Sequence, residues 1–129
     1  MLHLNVIHHI AIICSNYNVS KKFYTEVLGL KIVGEFYREE RKSWKLDLAL
    51  GDYYCIELFS FADPPKRVSR PEACGLRHLA FQVDDIEKAV QELKQKNVSV
   101  EDIRVDEFTG KRFTFFADPD ALPIELYER

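Results

Sequence analysis

His9 stands 48 residues before Glu57, and His78 stands 47 residues before Glu125. The segments around them match too: HHIAII at 8–13 answers RHLAFQ at 77–82, and CIELF at 55–59 answers PIELY at 123–127. A duplicated unit predicts pseudo-twofold symmetry, which gathers equivalent positions around one axis. The four side chains are therefore expected together. Glu57 lies between Ile56 and Leu58, and Glu125 between Ile124 and Leu126. An ionised, unpaired carboxylate in such surroundings costs several kcal/mol. Two of them converging without a cation repel until one takes up a proton. A divalent ion removes both penalties. Two imidazoles and two carboxylates suit Zn, Ni, Co, Mn or Fe(II) better than copper(I). With no cysteine in the set, a catalytic centre is favoured over a closed structural zinc site. His3 and His8 are read as ordinary residues, and strand alternation turns His8 to the face opposite His9.

The elements that must position these residues repeat in the same order. Residues 6–14 (VIHHIAIIC) are aliphatic on both faces, as in a strand buried on both sides. Asn18 or Ser20 is expected to cap a helix through KKFYTEVLG, with Phe23, Tyr24, Val27 and Leu28 inward and Gly29 as its stop. Strands follow at LKIVGEFYR from 30, WKLDLAL from 44 and YYCIELFSF from 53, the last two paired across Gly51-Asp52. Residues 62–74 hold three of the five prolines and form a linker. The second half reads as a strand over 75–84, a helix over IEKAVQELKQKN capped by Asp84 or Asp85 and ended at Asn97, then strands at VSVEDIRV, KRFTFFA and LPIELYE. The expected fold class is α+β, two βαβββ modules in tandem. Module one spans about residues 5–61 and module two about 75–128, within one domain over 1–129.

Composition narrows the function. A hydrophobic fraction of 47% supplies a real core. The 18 Lys and Arg against 21 Asp and Glu leave a charge of −3, without the basic excess that a nucleic-acid partner requires. No apolar run reaches the ~20 residues of a membrane span, and the N-terminus lacks the features of a signal peptide. The odd set Cys14, Cys55 and Cys74 has no paired spacing, as expected of free thiols in a reducing cytoplasm.

HHIAII before KFYTEVLGLKIV, then GLRHLAFQVDD and FFADPDALPIELYE, resemble the vicinal oxygen chelate superfamily from about residue 6 to 128. That superfamily contains glyoxalase I, bleomycin-resistance proteins, fosfomycin-resistance enzymes, methylmalonyl-CoA epimerase and extradiol dioxygenases. The resemblance implies curled mixed sheets forming a metal-holding cleft, with His9, Glu57, His78 and Glu125 as ligands of one divalent ion. The full His-Glu-His-Glu set is most similar to bacterial glyoxalase I. It implies a lyase or isomerase that acts on a small oxygen-chelating substrate through a metal-stabilised enolate, with Glu57 or Glu125 carrying the proton. It also implies a homodimer. A fosfomycin-type thiol transferase, an acyl-CoA epimerase and a metal-free drug-binding protein are the competing readings, the last disfavoured by the intact ligand set. Two positions depart from glyoxalase I. Ile13 stands where the family has an Arg for the glutathione carboxylate, and Phe61 stands where an Asn is common. Both departures argue against glutathione. Basic residues at Arg38, Arg41, Lys45, Arg70, Lys111 and Arg112 could instead meet an anionic substrate group. Trp44 and Arg112 each stand thirteen residues before a ligand Glu, so Arg112, Trp44, Lys45 and Arg38 are the substrate-binding candidates.

Overall fold

The structure, a computed structural model, describes residues 1–129 as two compact units, Met1–Pro65 and Lys66–Arg129. In the first, β1 (Ile10–Cys14) leads into α1 (Tyr17–Lys22), which continues as a π turn over Phe23–Val27. Strands β2 (Lys31–Arg38), β3 (Ser43–Leu50) and β4 (Tyr53–Ser60) complete a four-stranded sheet in the order β1-β4-β3-β2. β1 runs parallel to β4, and the other pairs are antiparallel. The second unit repeats this plan. β5 (Leu79–Val83), α2 (Ile86–Gln95), β6 (Arg104–Val105), β7 (Arg112–Ala117) and β8 (Pro123–Glu128) give the order β5-β8-β7-β6, with β5 parallel to β8. The two-module α+β fold expected from the repeat is therefore the fold observed. No helix is long and apolar enough to cross a membrane.

Local chemistry accounts for the boundaries. The cap of α1 is Asn16, not Asn18 or Ser20: its side chain accepts from the Val19 N–H at 3.2 Å, while Ser20 is already inside the helix and buried. Asp85 caps α2 in the same way, accepting from the Lys88 N–H at 3.0 Å. Gly29, at φ +74°, makes the left-handed exit from the π turn that a side chain would strain. The β3–β4 hairpin turns at Gly51 and Asp52 as expected. β6 is only two residues long. The chain before it meets β7 through two isolated bonds, Glu101 N–H to Phe115 C=O and Thr114 Oγ1 to Glu101 C=O, which do not extend into a ladder.

Each sheet has one apolar face under its helix. Leu46, Leu48, Ile56 and Leu58 are buried in unit one with Phe23 and Tyr24; Phe116, Ile124 and Leu126 are buried in unit two with Ile86, Val90 and Leu93. Each such side chain contributes roughly 1.5–3 kcal/mol on leaving water. The first strands differ from expectation. β1 and β5 are edge strands covered on one face only: in β1 Ile12 and Cys14 are buried while Ala11 and Ile13 are exposed, and in β5 Leu79, Phe81 and Val83 are half-buried while Ala80 and Gln82 are exposed. Both also start later than predicted, at Ile10 and Leu79. His9 and His78 therefore stand one residue ahead of their strands instead of within them.

Candidate metal centre

Pairing register puts both glutamates on the face away from the helices. In unit one Glu57 is opposite Asp47 on β3 and Ala11 on β1. Directly paired residues share a face, so Glu57, Asp47, Lys45, Phe59, Ala11 and Ile13 all lie on it. His9 turns Nε2 onto Glu57 Oε2 at 3.1 Å. In unit two Glu125 is opposite Phe115 and Ala80. His78 turns Nε2 onto Glu125 Oε2 at 2.9 Å, and the ring of Phe115 meets the imidazole edge-on at 5.1 Å between centroids. Both carboxylates are 12% exposed at the side chain, so they are shielded yet reachable.

The separation in each pair is that of an imidazole–carboxylate hydrogen bond, and it is also a spacing that two adjacent metal ligands can adopt. Nitrogen and oxygen donors about 2.1 Å from an octahedral ion lie roughly 3 Å apart when they occupy neighbouring positions. The observed separations of 3.1 and 2.9 Å match that spacing. Within each unit the sequence thus brings together one imidazole and one carboxylate. No group of three or more His, Cys, Asp or Glu side chains is gathered in metal-holding geometry. What the structure presents is one His–Glu pair in each unit.

Unit one carries neighbours that unit two lacks. The Tyr54 hydroxyl donates to Glu57 Oε2 at 2.7 Å, and its ring stacks on His9 at 5.9 Å with 12° between planes. Burial first, then the Glu57 hydrogen bond and the nearby carboxylate charges, push the Tyr54 phenol well above its ordinary value. It therefore acts as a neutral donor near neutral pH. Lys45 Nζ lies 2.7 Å from Asp47 Oδ1 and 4.0 Å from Glu57 Oε1. Tyr54 was not visible in the sequence as a site residue. It precedes Glu57 by three, an odd spacing that regular alternation sends to the other face. The register shift between Leu48 and Ala49 in the β3–β4 pair breaks that alternation. His8 is also nearer than expected, with Nδ1 2.8 Å from Nδ1 of His9 and its ring edge-on to Tyr54. Alternation does not separate the two histidines because both precede the strand.

The four substrate-binding candidates divide by face. Lys45 shares the face of Glu57, and Arg38 lies over Phe59 on that face, 4.7 Å from the ring centre. Trp44 lies on the other face, stacked 5.1 Å from Tyr17 of α1. Arg112 also lies on the helix side, with Thr114 and Phe116. Its guanidinium grips Glu128 at 2.7 and 2.9 Å and reaches Glu87 of α2 at 3.2 Å. Thirteen residues of separation across these antiparallel pairs leads to the helix face, so Trp44 and Arg112 are equivalent to each other but turned away from Glu57 and Glu125. Of the two departures from the glyoxalase I pattern, Ile13 is on the ligand face and 55% exposed. Phe61 stacks with Phe59 at 6.3 Å.

The sequence model of the glyoxalase/bleomycin resistance protein/dioxygenase superfamily matches residues 6–126. The chain belongs to this superfamily. The Escherichia coli (strain K12) protein YaeR is 64% identical to this chain over the full length of both. A 2-epi-5-epi-valiolone epimerase from an Actinomyces species is 30% identical, over 93% of this chain and 77% of that protein. The crystal structure of a glyoxalase family protein from Enterococcus faecalis is 50% identical and superposes with a TM-score of 0.90, covering 95% of this chain and 97% of that one. Superfamily members are often enzymes acting on small molecules and commonly hold a divalent metal ion, a class that the two His–Glu pairs fit.

Proposed function

We propose that the protein is a metal-dependent lyase or isomerase of the glyoxalase I kind, acting on a small oxygen-chelating substrate. In this proposal His9, Glu57, His78 and Glu125 ligate one divalent ion (Zn, Ni, Co, Mn or Fe). The observation that carries it is the repeated pair: in each module one imidazole Nε2 stands about one ligand–ligand spacing from one carboxylate oxygen. A bound divalent ion supplies Lewis-acid polarisation of a substrate carbonyl, which acidifies the neighbouring C–H.

The protein's own residues divide the remaining work. Glu57 has both oxygens engaged, Oε2 by the Tyr54 hydroxyl and Oε1 by the Lys45 ammonium 4.0 Å away. Glu125 pairs with His78 through Oε2 and its charge is felt by Tyr127, with no hydrogen bond or ion pair on Oε1, which can receive a proton. Glu125 is thus assigned the proton transfer, and Glu57 a fixed ligand role. In unit two Phe115 lies edge-on to His78, and in unit one Ile13 is an exposed apolar side chain on the Glu57 face. The absence of the glutathione-binding Arg at Ile13 favours a substrate other than a glutathione adduct. We place the active protein in the cytoplasm as a homodimer, without nucleic-acid or membrane partners.

Epimerisation is the second reading, favoured by the 30% identity to 2-epi-5-epi-valiolone epimerase. It needs the same first step, removal of a proton beside a carbonyl, followed by return to the other face. Solvent-deuterium incorporation separates the two. Metal-loaded protein is incubated in D2O with hemithioacetals, α-hydroxyketones and acyl-CoA esters, and exchange is followed by NMR. Exchange with net isomerisation supports the lyase or isomerase reading, and exchange with inverted configuration supports the epimerase. No exchange into any of the three classes would remove both.

A further inference from the structure

A cleft of about 1050 Å³ opens inside unit two, and its lining is unusually cationic for a chain of net charge −3. Five basic side chains border it, Lys66, Arg67, Arg70, Arg77 and Arg104, against two carboxylates, Glu72 and Glu101. His78 and Phe115 form part of the same wall. His78, the partner of Glu125, therefore borders a space large enough for a metabolite well beyond a three-carbon unit, since ligand pockets run to roughly 300–1,000 Å³.

The five cations are not equivalent. Arg67 is committed to the fold: Nε donates to Ser69 Oγ at 2.7 Å, and Nη2 donates to the carbonyls of Leu76 and Arg77 at 3.1 and 3.4 Å. It ties the connecting segment to the approach of β5. Arg77 is paired with Glu72 at 2.6 Å. Arg104 is paired with Glu101 at 3.9 Å, and its guanidinium carbon stands 4.9 Å from the ring centre of Phe113 and 5.9 Å from that of Phe115. Lys66 and Arg70 are exposed and enter no ion pair or side-chain hydrogen bond. Their charges are uncompensated in a concave site where like charges already crowd, and such a site concentrates anions. A guanidinium also presents the planar fork that matches a carboxylate or phosphate.

We infer that this cleft binds an anionic group of the substrate, a phosphate or carboxylate, on Lys66 and Arg70, with Arg104 bordering the same space. The substrate is then a bifunctional compound: a pair of oxygens that would chelate the metal which His78 and Glu125 would help to hold, joined to an anionic end held by Lys66 and Arg70. The inference deepens the functional reading and rests on it for the chelating end only. The anionic end is tested without metal.

Full-length protein is titrated calorimetrically with inorganic phosphate and with malonate, using chloride at equal ionic strength as the reference. Binding of either anion above the chloride reference is expected, and which of the two binds identifies the group. Lys66→Ala/Arg70→Ala should weaken it at least about tenfold, the loss of one charge-assisted hydrogen bond. Arg70→Lys should restore only part, because an ammonium lacks the bidentate fork. Both positions are exposed, so these variants are expected to fold, and far-UV circular dichroism confirms it. His78→Ala should keep anion binding while losing metal. Anion binding in a wild-type protein that takes up no metal would overturn the functional reading and leave the anion site standing. Phosphate and malonate binding no better than chloride, or binding the double variant as well as wild type, would overturn the inference.

Discussion

Glu125→Gln is expected to slow proton exchange at the reacting carbon by about 10²–10⁴-fold at saturating metal, the range for loss of a positioned acid–base group. The amide keeps the size of the carboxylate and a carbonyl oxygen for ligation but cannot take a proton. Glu57→Gln is expected to cost less in exchange rate, because the oxygens of Glu57 are already engaged by Tyr54 and Lys45. Its main effect falls on metal affinity. The two variants are equivalent by the sequence repeat, so a difference between them reads the asymmetry of their surroundings directly. Rates are compared after metal content has been restored in both. A larger loss in Glu57→Gln would transfer the proton role to the first module.

The largest effect on stability is expected from Ile124→Ala, a loss of about 2–5 kcal/mol. Ile124 is fully buried on β8, opposite Phe116 of β7 and Leu79 of β5, and it immediately precedes Glu125. Truncation leaves a cavity on the helix face of the strand whose other face carries the ligand. Urea unfolding should show a lower midpoint with an unchanged slope, the signature of lost stability instead of altered compactness. Ile13→Ala provides the control. Ile13 is 55% exposed, and substitutions at such positions stay within about 0.5 kcal/mol. A loss below about 1 kcal/mol for Ile124→Ala would mean that the strand is not anchored through this residue.

The repeat made the fold legible. HHIAII and RHLAFQ, with CIELF and PIELY, identified two modules, and each module formed the strand–helix–three-strand sequence read from its apolar runs, although the strand expected at VSVEDIRV is only Arg104–Val105. Each imidazole lies against the glutamate of its own module, His9 on Glu57 and His78 on Glu125. Two physical features lay outside the reach of the repeat. Strand alternation holds only inside strands, so it misplaced His8, which sits in the irregular approach to β1 beside His9. It also hid Tyr54, which reaches Glu57 only because of the register shift between Leu48 and Ala49. Equal sequence distance could not choose a face either: Trp44 and Arg112 proved equivalent, yet both lie on the helix side. Arg70 stood among the basic residues, but nothing in its neighbours in sequence revealed that it borders a cleft with His78.

Metal analysis of the full-length protein, purified without chelator, tests the ligand set most directly. Inductively coupled plasma mass spectrometry on wild type, His9→Ala and His78→Ala should find one divalent ion per chain in the wild type. Both single variants should lose it, since each module contributes only one imidazole and one carboxylate. Stoichiometric metal retained by either variant, or no metal in the wild type above the imidazole pKa, would contradict a single centre built from His9, Glu57, His78 and Glu125.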